Sequence, residues 1–401
     1  MRIVYSIPTR IGAGGLGVDS FEALKGIYAR GYLERVAAYG NRQREIPGRY
    51  IRPMRFYATK IFSNLPARYY YPAKRKSLDR MTVRVLRKGA DLFHGWTGSS
   101  LRSLKYCRER GIGSILENPA PHPKHSDEIM EREYGMLGIR WKKEPEILKN
   151  FFGTDLSYIE AEYDASGYIL LESDFTRSTF LARGFPADKL LMVPRGVDTS
   201  RYVPSSERRS AVFRAIFVGA IGVRKGVRYL LEAWKELALN DAELILVGTV
   251  QDDARSLIEG VRGDRTIRVL GYVRDPIRLY QEASAFVFPS LSEGSAKVTY
   301  EAMACGLPVV VTPNTGSVAV DGEHGFIVPV QDKQTLKERI LTLYENPGLR
   351  EEMGQKARRH IESYSWDAFR KRMIEAYELA YRDRNGSVLA GPGSLRSGKE
   401  T

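Results

Sequence analysis

Two α/β domains, each Rossmann-like with a doubly wound parallel sheet, are what this 401-residue sequence predicts. Three observations carry that reading. Short apolar runs bounded by Gly or Pro alternate with amphipathic stretches, the pattern of parallel sheets covered on both faces. The runs fall into two successive sets. The chain is also too long for one ordinary core.

The first set holds IVYSI (3–7), DLFHG (91–95), SILEN (114–118), YILLES (168–173) and KLLMVP (189–194). The second holds AIFVG (215–219), ELILVG (243–248), IRVLGY (267–272), AFVFPS (285–290), PVVVT (308–312) and FIVP (326–329). Helical segments such as VRYLLEAWKELA (227–238) separate them. The polar stretch GVDTSRYVPSSERRS (196–210) reads as the linker, so 1–196 form the first domain and 197–369 the second. The amphipathic segment SWDAFRKRMIEAYELAYR (365–382) reads as a last helix, whose 370–386 portion is expected to return to the first domain. Residues 387–401 have the composition of a disordered tail.

Composition narrows the function classes. The hydrophobic content of 43% is that of a globular protein. No run approaches the roughly 18 apolar residues of a membrane helix. MRIVYSIPTR is too short in its apolar part for a signal peptide and reads as a first buried strand. Cys107 and Cys305 lack disulfide or metal spacing, which favours a reducing cytoplasm. The net charge of +14 is concentrated: residues 42–88 hold fourteen Lys/Arg against Glu45 and Asp79, interleaved with seven aromatics. That mixture suits an anionic surface, lipid headgroups better than a nucleic-acid backbone, or else is the solvated, irregular face of a basic protein.

Ligands of open parallel sheets lie beyond the carboxyl ends of strands, which places a site in the cleft between the domains. Four segments reach that region. In SEGSAKVTYEAMACGLPVVVT (292–312), Glu293 lies in a loop and Glu301 on a helix of about 296–305, beside apolar Val298, Ala302 and Cys305. Either Glu301 sits at the solvent edge of that helix, or it and Glu293 accept hydrogen bonds from ligand hydroxyls. AIFVGAIGVRKGVRYLLEAW (215–234) places Gly222, Arg224, Lys225 and Gly226 at a strand-to-helix turn, suited to a phosphate or simply a basic surface turn. IPTRIGAGGLGVDS (7–20) is a Gly-rich turn around Gly15 with neither dinucleotide nor P-loop spacing. His94, His122 and His125 end first-domain strands and are expected to face the cleft. His122 and His125, at i and i+3, lack a third ligand for zinc, and there is no DxD triplet for a divalent metal.

These segments in this order resemble the retaining glycosyltransferases of family 4, which have the GT-B fold. The similarity rests on Glu293-Gly-x6-Glu301-Ala-Met-Ala-Cys-Gly-Leu-Pro-Val, with RKG (224–226), LGYV (270–273), VPRGVD (193–198), GFIVP (325–329) and SW (365–366). It implies transfer of a sugar from a nucleotide-diphosphate sugar, a co-substrate rather than a cofactor, to an acceptor hydroxyl of an unspecified glycan or lipid. Glu293 would then hold donor-sugar hydroxyls and Glu301 the ribose. Arg224 and Lys225 would neutralise the diphosphate, and Gly15 would close over the donor. Tyr272 and Val273 would face the base, while His122 would orient the sugar. Gly222, Gly294, Ser295, Ala296 and Lys297 complete the donor site, with no metal. Ser295-Ala296 stands where Phe-Gly is usual, Lys297 adds a cation, and Ala220 stands where many members have arginine. The alternatives are a GT-B sugar-nucleotide epimerase, or a non-catalytic scaffold binding membrane or nucleic acid. A cytoplasmic location, with peripheral contact to the inner membrane face through 42–88, is the corresponding expectation.

Overall fold

The computed structural model describes residues 1–54, 67–138, 155–205 and 212–384. The expected tail at 387–401, part of the basic stretch (55–66) and the end of the linker (206–210) lie outside the described residues.

The first domain is built on strands Ile3–Ile11 (β1), Leu33–Asn41 (β2), Ile51–Pro53 (β3), Leu92–Trp96 (β4), Gly113–Glu117 (β5), Tyr168–Leu171 (β6) and Leu190–Met192 (β7). Its helices are Leu16–Ala29 (α1), Ala67–Leu86 (α2), Leu101–Glu109 (α3), Pro123–Met136 (α4), Leu156–Ala165 (α5) and Asp174–Leu181 (α6). The sheet runs β3-β2-β1-β4-β5-β6-β7, every ladder parallel.

The second domain has strands Phe213–Val218 (β8), Ala242–Val247 (β9), Ile267–Gly271 (β10), Ala285–Phe288 (β11), Val309–Val311 (β12) and Gly325–Ile327 (β13). Helices Val227–Leu237 (α7), Arg255–Glu259 (α8), Ile277–Glu282 (α9), Lys297–Ala304 (α10), Lys333–Glu345 (α11) and Pro347–Ile361 (α12) cover it. Its order is β10-β9-β8-β11-β12-β13, again all parallel. β11 and β12 are buried along their whole length, which is why they read as unbroken apolar runs.

The last helix, Trp366–Arg384 (α13), lies on the first domain. Phe369, Met373 and Tyr377 are buried in the cluster that also holds Ile3, Leu24 and Ile27. Each such side chain stabilises the docking by about 1.5–3 kcal/mol. The crossing back is fixed at Gly196: a Cβ there would collide with the Trp366 ring, and Val197 bridges to Ser365.

The basic stretch has more order than its composition suggests. Residues 67–86 form α2, and its single acid, Asp79, is buried. Asp79 accepts from the backbone N–H groups of Arg102 (2.7 Å) and Ser103 (2.9 Å), capping α3. Lys76, Arg80, Arg84 and Lys88 are exposed at four-residue intervals, so the charge forms a stripe down one side.

Candidate active site

The turn after β8 brings two cations onto one carboxylate. Gly226 ends the turn with φ +69°, and a Cβ there would overlap the Pro289 carbonyl oxygen, so only glycine lets the turn lie against the β11 loop. Leu291 N–H (2.9 Å) and Ser290 Oγ (3.1 Å) both donate to the Arg224 carbonyl. With its backbone held, Arg224 Nη1 reaches Glu293 Oε1 and the Ser292 carbonyl, both at 2.8 Å. Lys225 Nζ donates to the same Glu293 oxygen, and Ser290 Oγ donates at 3.2 Å. Burial opposes ionisation of Glu293, but Lys225 and Arg224 outweigh it and hold its pKa below the usual value. Burial also lowers the pKa of Lys225, against the pull of Glu293.

Glu301 lies one helix away on α10. It is 4% exposed, which removes the solvent-edge alternative. Tyr202 OH (3.0 Å), Tyr280 OH (3.1 Å) and Lys297 Nζ (3.0 Å) all donate to it. Ser295 and Ala296, where the family habit is broken, are also accounted for. Ser295 Oγ lies 3.1 Å from Tyr300 OH and 3.1 Å from the Gly316 carbonyl, while Ala296 is the N-cap position of α10.

From the first domain, Asp19 on α1 and Arg195 after β7 meet the donor-side loop. Arg195 Nη2 donates to Asp19 Oδ2 at 2.6 Å, and its Nη1 donates to the Ser295 carbonyl at 3.1 Å. Glu172 lies 3.9 Å from the same guanidinium. Burial raises the Glu172 pKa to about 8, with Arg195 opposing. Gly15, at φ +65°, begins α1 just before Asp19.

Between the domains lies a cavity of about 460 Å³. Pro119, Ser126 and Tyr134 line it from the first domain, and Gly222, Arg224, Lys225, Glu293 and Gly294 from the second. Gly15, Glu301, Ser295, Ala296 and Lys297 do not line it, and neither do Tyr272 and Val273. Tyr272 stands 76% exposed at the end of β10, and Val273 packs on the second core.

Two histidine expectations need correction. The His122 ring packs among Tyr163, Phe180 and Phe185 at centroid distances of 5.7, 5.3 and 5.8 Å, and it does not line the cavity. Pro119, Ala120, Pro121 and Pro123 take the cavity face, while the intervening histidine side chain turns into the core. Burial lowers its pKa to about 4. His94 is fully buried between Glu117 (2.8 Å) and Tyr377 OH (2.9 Å), and burial lowers its pKa to about 3. Asp19, Glu172, Tyr202 and Tyr280 carry no local motif that marks them for the site, whereas Arg195 stands between Pro194 and Gly196 at the domain crossing, a signal present in VPRGVD.

Residues 213–346 match the family described as glycosyl transferases group 1. The O-antigen chain mannosyltransferase B of Escherichia coli is 30% identical over 235 residues, covering 54% of this chain and 61% of that protein. The family match thus lies on the second domain, from β8 to the end of α11. The chain spans about half the length of the curated relatives it matches. Among solved structures, sucrose-phosphate synthase from Thermosynechococcus elongatus aligns with TM-score 0.69 at 18% identity, covering 96% of this chain and all of that one. Anabaena HepE in complex with UDP-glucose aligns with TM-score 0.67 at 17% identity, covering 94% of this chain and all of that one. At these identities the likeness is one of fold, and the fold is GT-B. No described helix is long and apolar enough to cross a membrane. Among the described residues no group of three His, Cys, Asp or Glu is placed to hold a metal.

Proposed function

We propose that this chain is a retaining, family 4 glycosyltransferase, moving a sugar from a nucleoside-diphosphate sugar to an acceptor hydroxyl in glycan, glycolipid or polysaccharide synthesis. The observation that carries the reading is the meeting of Arg224, Lys225 and Glu293 in the interdomain cavity, close to the first turn of α10. Loss of a nucleoside diphosphate needs negative charge neutralised on the departing β-phosphate. Two cations and the free N–H groups at a helix start supply that, and the proposed step needs no metal ion. When the cations turn to phosphate, Glu293 loses its two cationic donors, keeps Ser290, and can accept from a sugar hydroxyl. Glu301, already held by two tyrosines, accepts from the ribose when Lys297 also swings toward phosphate. With no second carboxylate assigned as a nucleophile, front-face transfer, the leaving phosphate assisting deprotonation of the acceptor, fits best.

The names of the relatives support this reading: an O-antigen mannosyltransferase by sequence, and by fold a protein crystallised with UDP-glucose. The exposed stripe of Lys76, Arg80, Arg84 and Lys88 suits anionic headgroups, consistent with a lipid-linked acceptor and a peripheral, cytoplasmic-face enzyme. Release of nucleoside diphosphate from UDP-, GDP- and ADP-sugars tests the proposal. One donor class should turn over, and Arg224→Ala with Lys225→Ala should abolish it. Unchanged rates in that double variant would sink the assignment. Isomerised donor without release would indicate an epimerase, and no donor use at all a scaffold.

A further inference from the structure

We propose that α4 of the first domain clasps the cation turn on both flanks, making Tyr134 and Glu133 positioning residues for Arg224 and Lys225. The inference rests on the glycosyltransferase reading, and it concerns residues outside the motifs that led there.

By chain order α4 belongs to the first domain, yet Ile129 and Met130 are buried in the apolar core of the second. The helix is thereby seated on the other domain, and its next residues reach the segment that carries the cations. Glu133 is fully buried. Its Oε2 accepts from Tyr229 OH at 2.8 Å and from Gln331 Nε2 at 2.7 Å. Tyr229 is the third residue of α7 and follows Gly226 by three positions. Tyr134 OH donates to Asp253 Oδ2, and Asp253 Oδ1 accepts from the backbone N–H of Val223 at 3.4 Å. Val223 immediately precedes Arg224. The two clasps therefore bracket the pair, one just upstream and one just downstream.

The bracket matters because of what happens to the other supports. Glu293 anchors both cationic side chains. A diphosphate that recruits Arg224 and Lys225 draws them off Glu293, and the location of their charges then depends on the backbone of the turn. The Tyr134–Asp253–Val223 and Glu133–Tyr229 links hold that backbone to an element of the opposite domain. Ser126, on the same helix, also bonds Ser292 beside Glu293 at 3.0 Å. One helix thus bonds the segments after β9 and β11 and the start of α7, which follows the β8 turn. A buried carboxylate is costly unless its bonds are made; Oε2 makes both of its bonds, while Oε1 has no hydrogen bond and only the Arg228 guanidinium 3.9 Å away.

The test uses the full chain carrying Tyr134→Phe, Glu133→Ala or Glu133→Gln. Hydrogen exchange at the amides of 223–226 should quicken about tenfold in Tyr134→Phe and Glu133→Ala, the worth of one ordinary hydrogen bond. Glu133→Gln keeps an acceptor for Tyr229 and should restore most of the protection. With the donor that the unaltered protein uses, kcat should fall about tenfold in the first two variants while donor KM changes less, because charge on the phosphate grows during departure. Recovery in Glu133→Gln should parallel the exchange. Wild-type exchange at the turn in both Tyr134→Phe and Glu133→Ala overturns the clasp. So does a kcat within twofold of wild type. If the unaltered chain releases no nucleoside diphosphate from any donor, the glycosyltransferase reading fails instead, and the exchange measurement still decides whether α4 holds the turn.

Discussion

Gly294→Ala should open the molecule without unfolding either domain. Gly294 has no unusual backbone angle, yet a Cβ there would lie far inside 3.0 Å of the Pro119 carbonyl oxygen, in the opposite domain. The clash is therefore relieved by separating the domains rather than by distorting the loop. Three interdomain hydrogen bonds are made by residues 292–295 themselves and are put directly at risk: Ser126 to Ser292 (3.0 Å), Arg195 to the Ser295 carbonyl (3.1 Å) and Ser173 to the Gly294 carbonyl. At about 1 kcal/mol apiece the closed form loses about 3 kcal/mol, which disfavours it by roughly a hundredfold. Small-angle X-ray scattering should show a larger radius of gyration, with the far-ultraviolet circular dichroism of the parent. Nucleoside-diphosphate release should drop by a similar factor. Scattering that superposes on the parent, together with release within threefold, would refute the reasoning.

Glu301→Leu should cost the second domain about 2 kcal/mol in urea unfolding, because the fully buried Tyr280 hydroxyl loses its acceptor. Adding Tyr280→Phe should recover part of that loss, and purely additive losses would contradict the bond. The raised pKa of Glu172, about 8 in the fold, carries a pH signature. Between about pH 4.5 and 8 the unfolded chain has released this proton and the folded one keeps it, so stability declines as pH rises through that window. Glu172→Gln should flatten the decline, and an unchanged slope would contradict the assignment. His94 acts oppositely: its pKa of about 3 withdraws stability as pH falls below 6.5. Binding to vesicles containing anionic lipid should weaken with salt and with Arg80→Glu plus Arg84→Glu, and equal binding to neutral vesicles would contradict the headgroup proposal.

The strands that read from the sequence are mostly apolar runs packed inside the sheets, as β11 and β12 are, although β10 was legible from its apolar letters alone, with Arg268, Val269 and Leu270 exposed. β2 and β3 escaped. β2 carries Glu34 and Arg35 near its start, and β3 is a three-residue edge strand with two exposed positions. Both therefore lack the continuous apolar run. In the site, Arg224, Lys225 and Glu293 were legible because each sits at a loop following a strand, where topology alone sends it to the cleft. The partners of Glu301 were not. Tyr202 comes from the linker and Tyr280 from a short helix, so no local spacing links them to α10. His122 shows the opposite failure. It does follow β5, but loop position does not say which way a side chain turns, and the flanking Pro119, Pro121 and Pro123 line the cavity instead.

The central claim is that the Arg224–Lys225–Glu293 cluster is a diphosphate site. Titration calorimetry with free UDP, GDP and ADP tests it without an acceptor. Saturable binding of at least one of them, lost in Arg224→Ala with Lys225→Ala and not in Arg80→Glu with Arg84→Glu, is the predicted result. Binding of none of the three, or binding indifferent to the Arg224 and Lys225 substitutions, would contradict it.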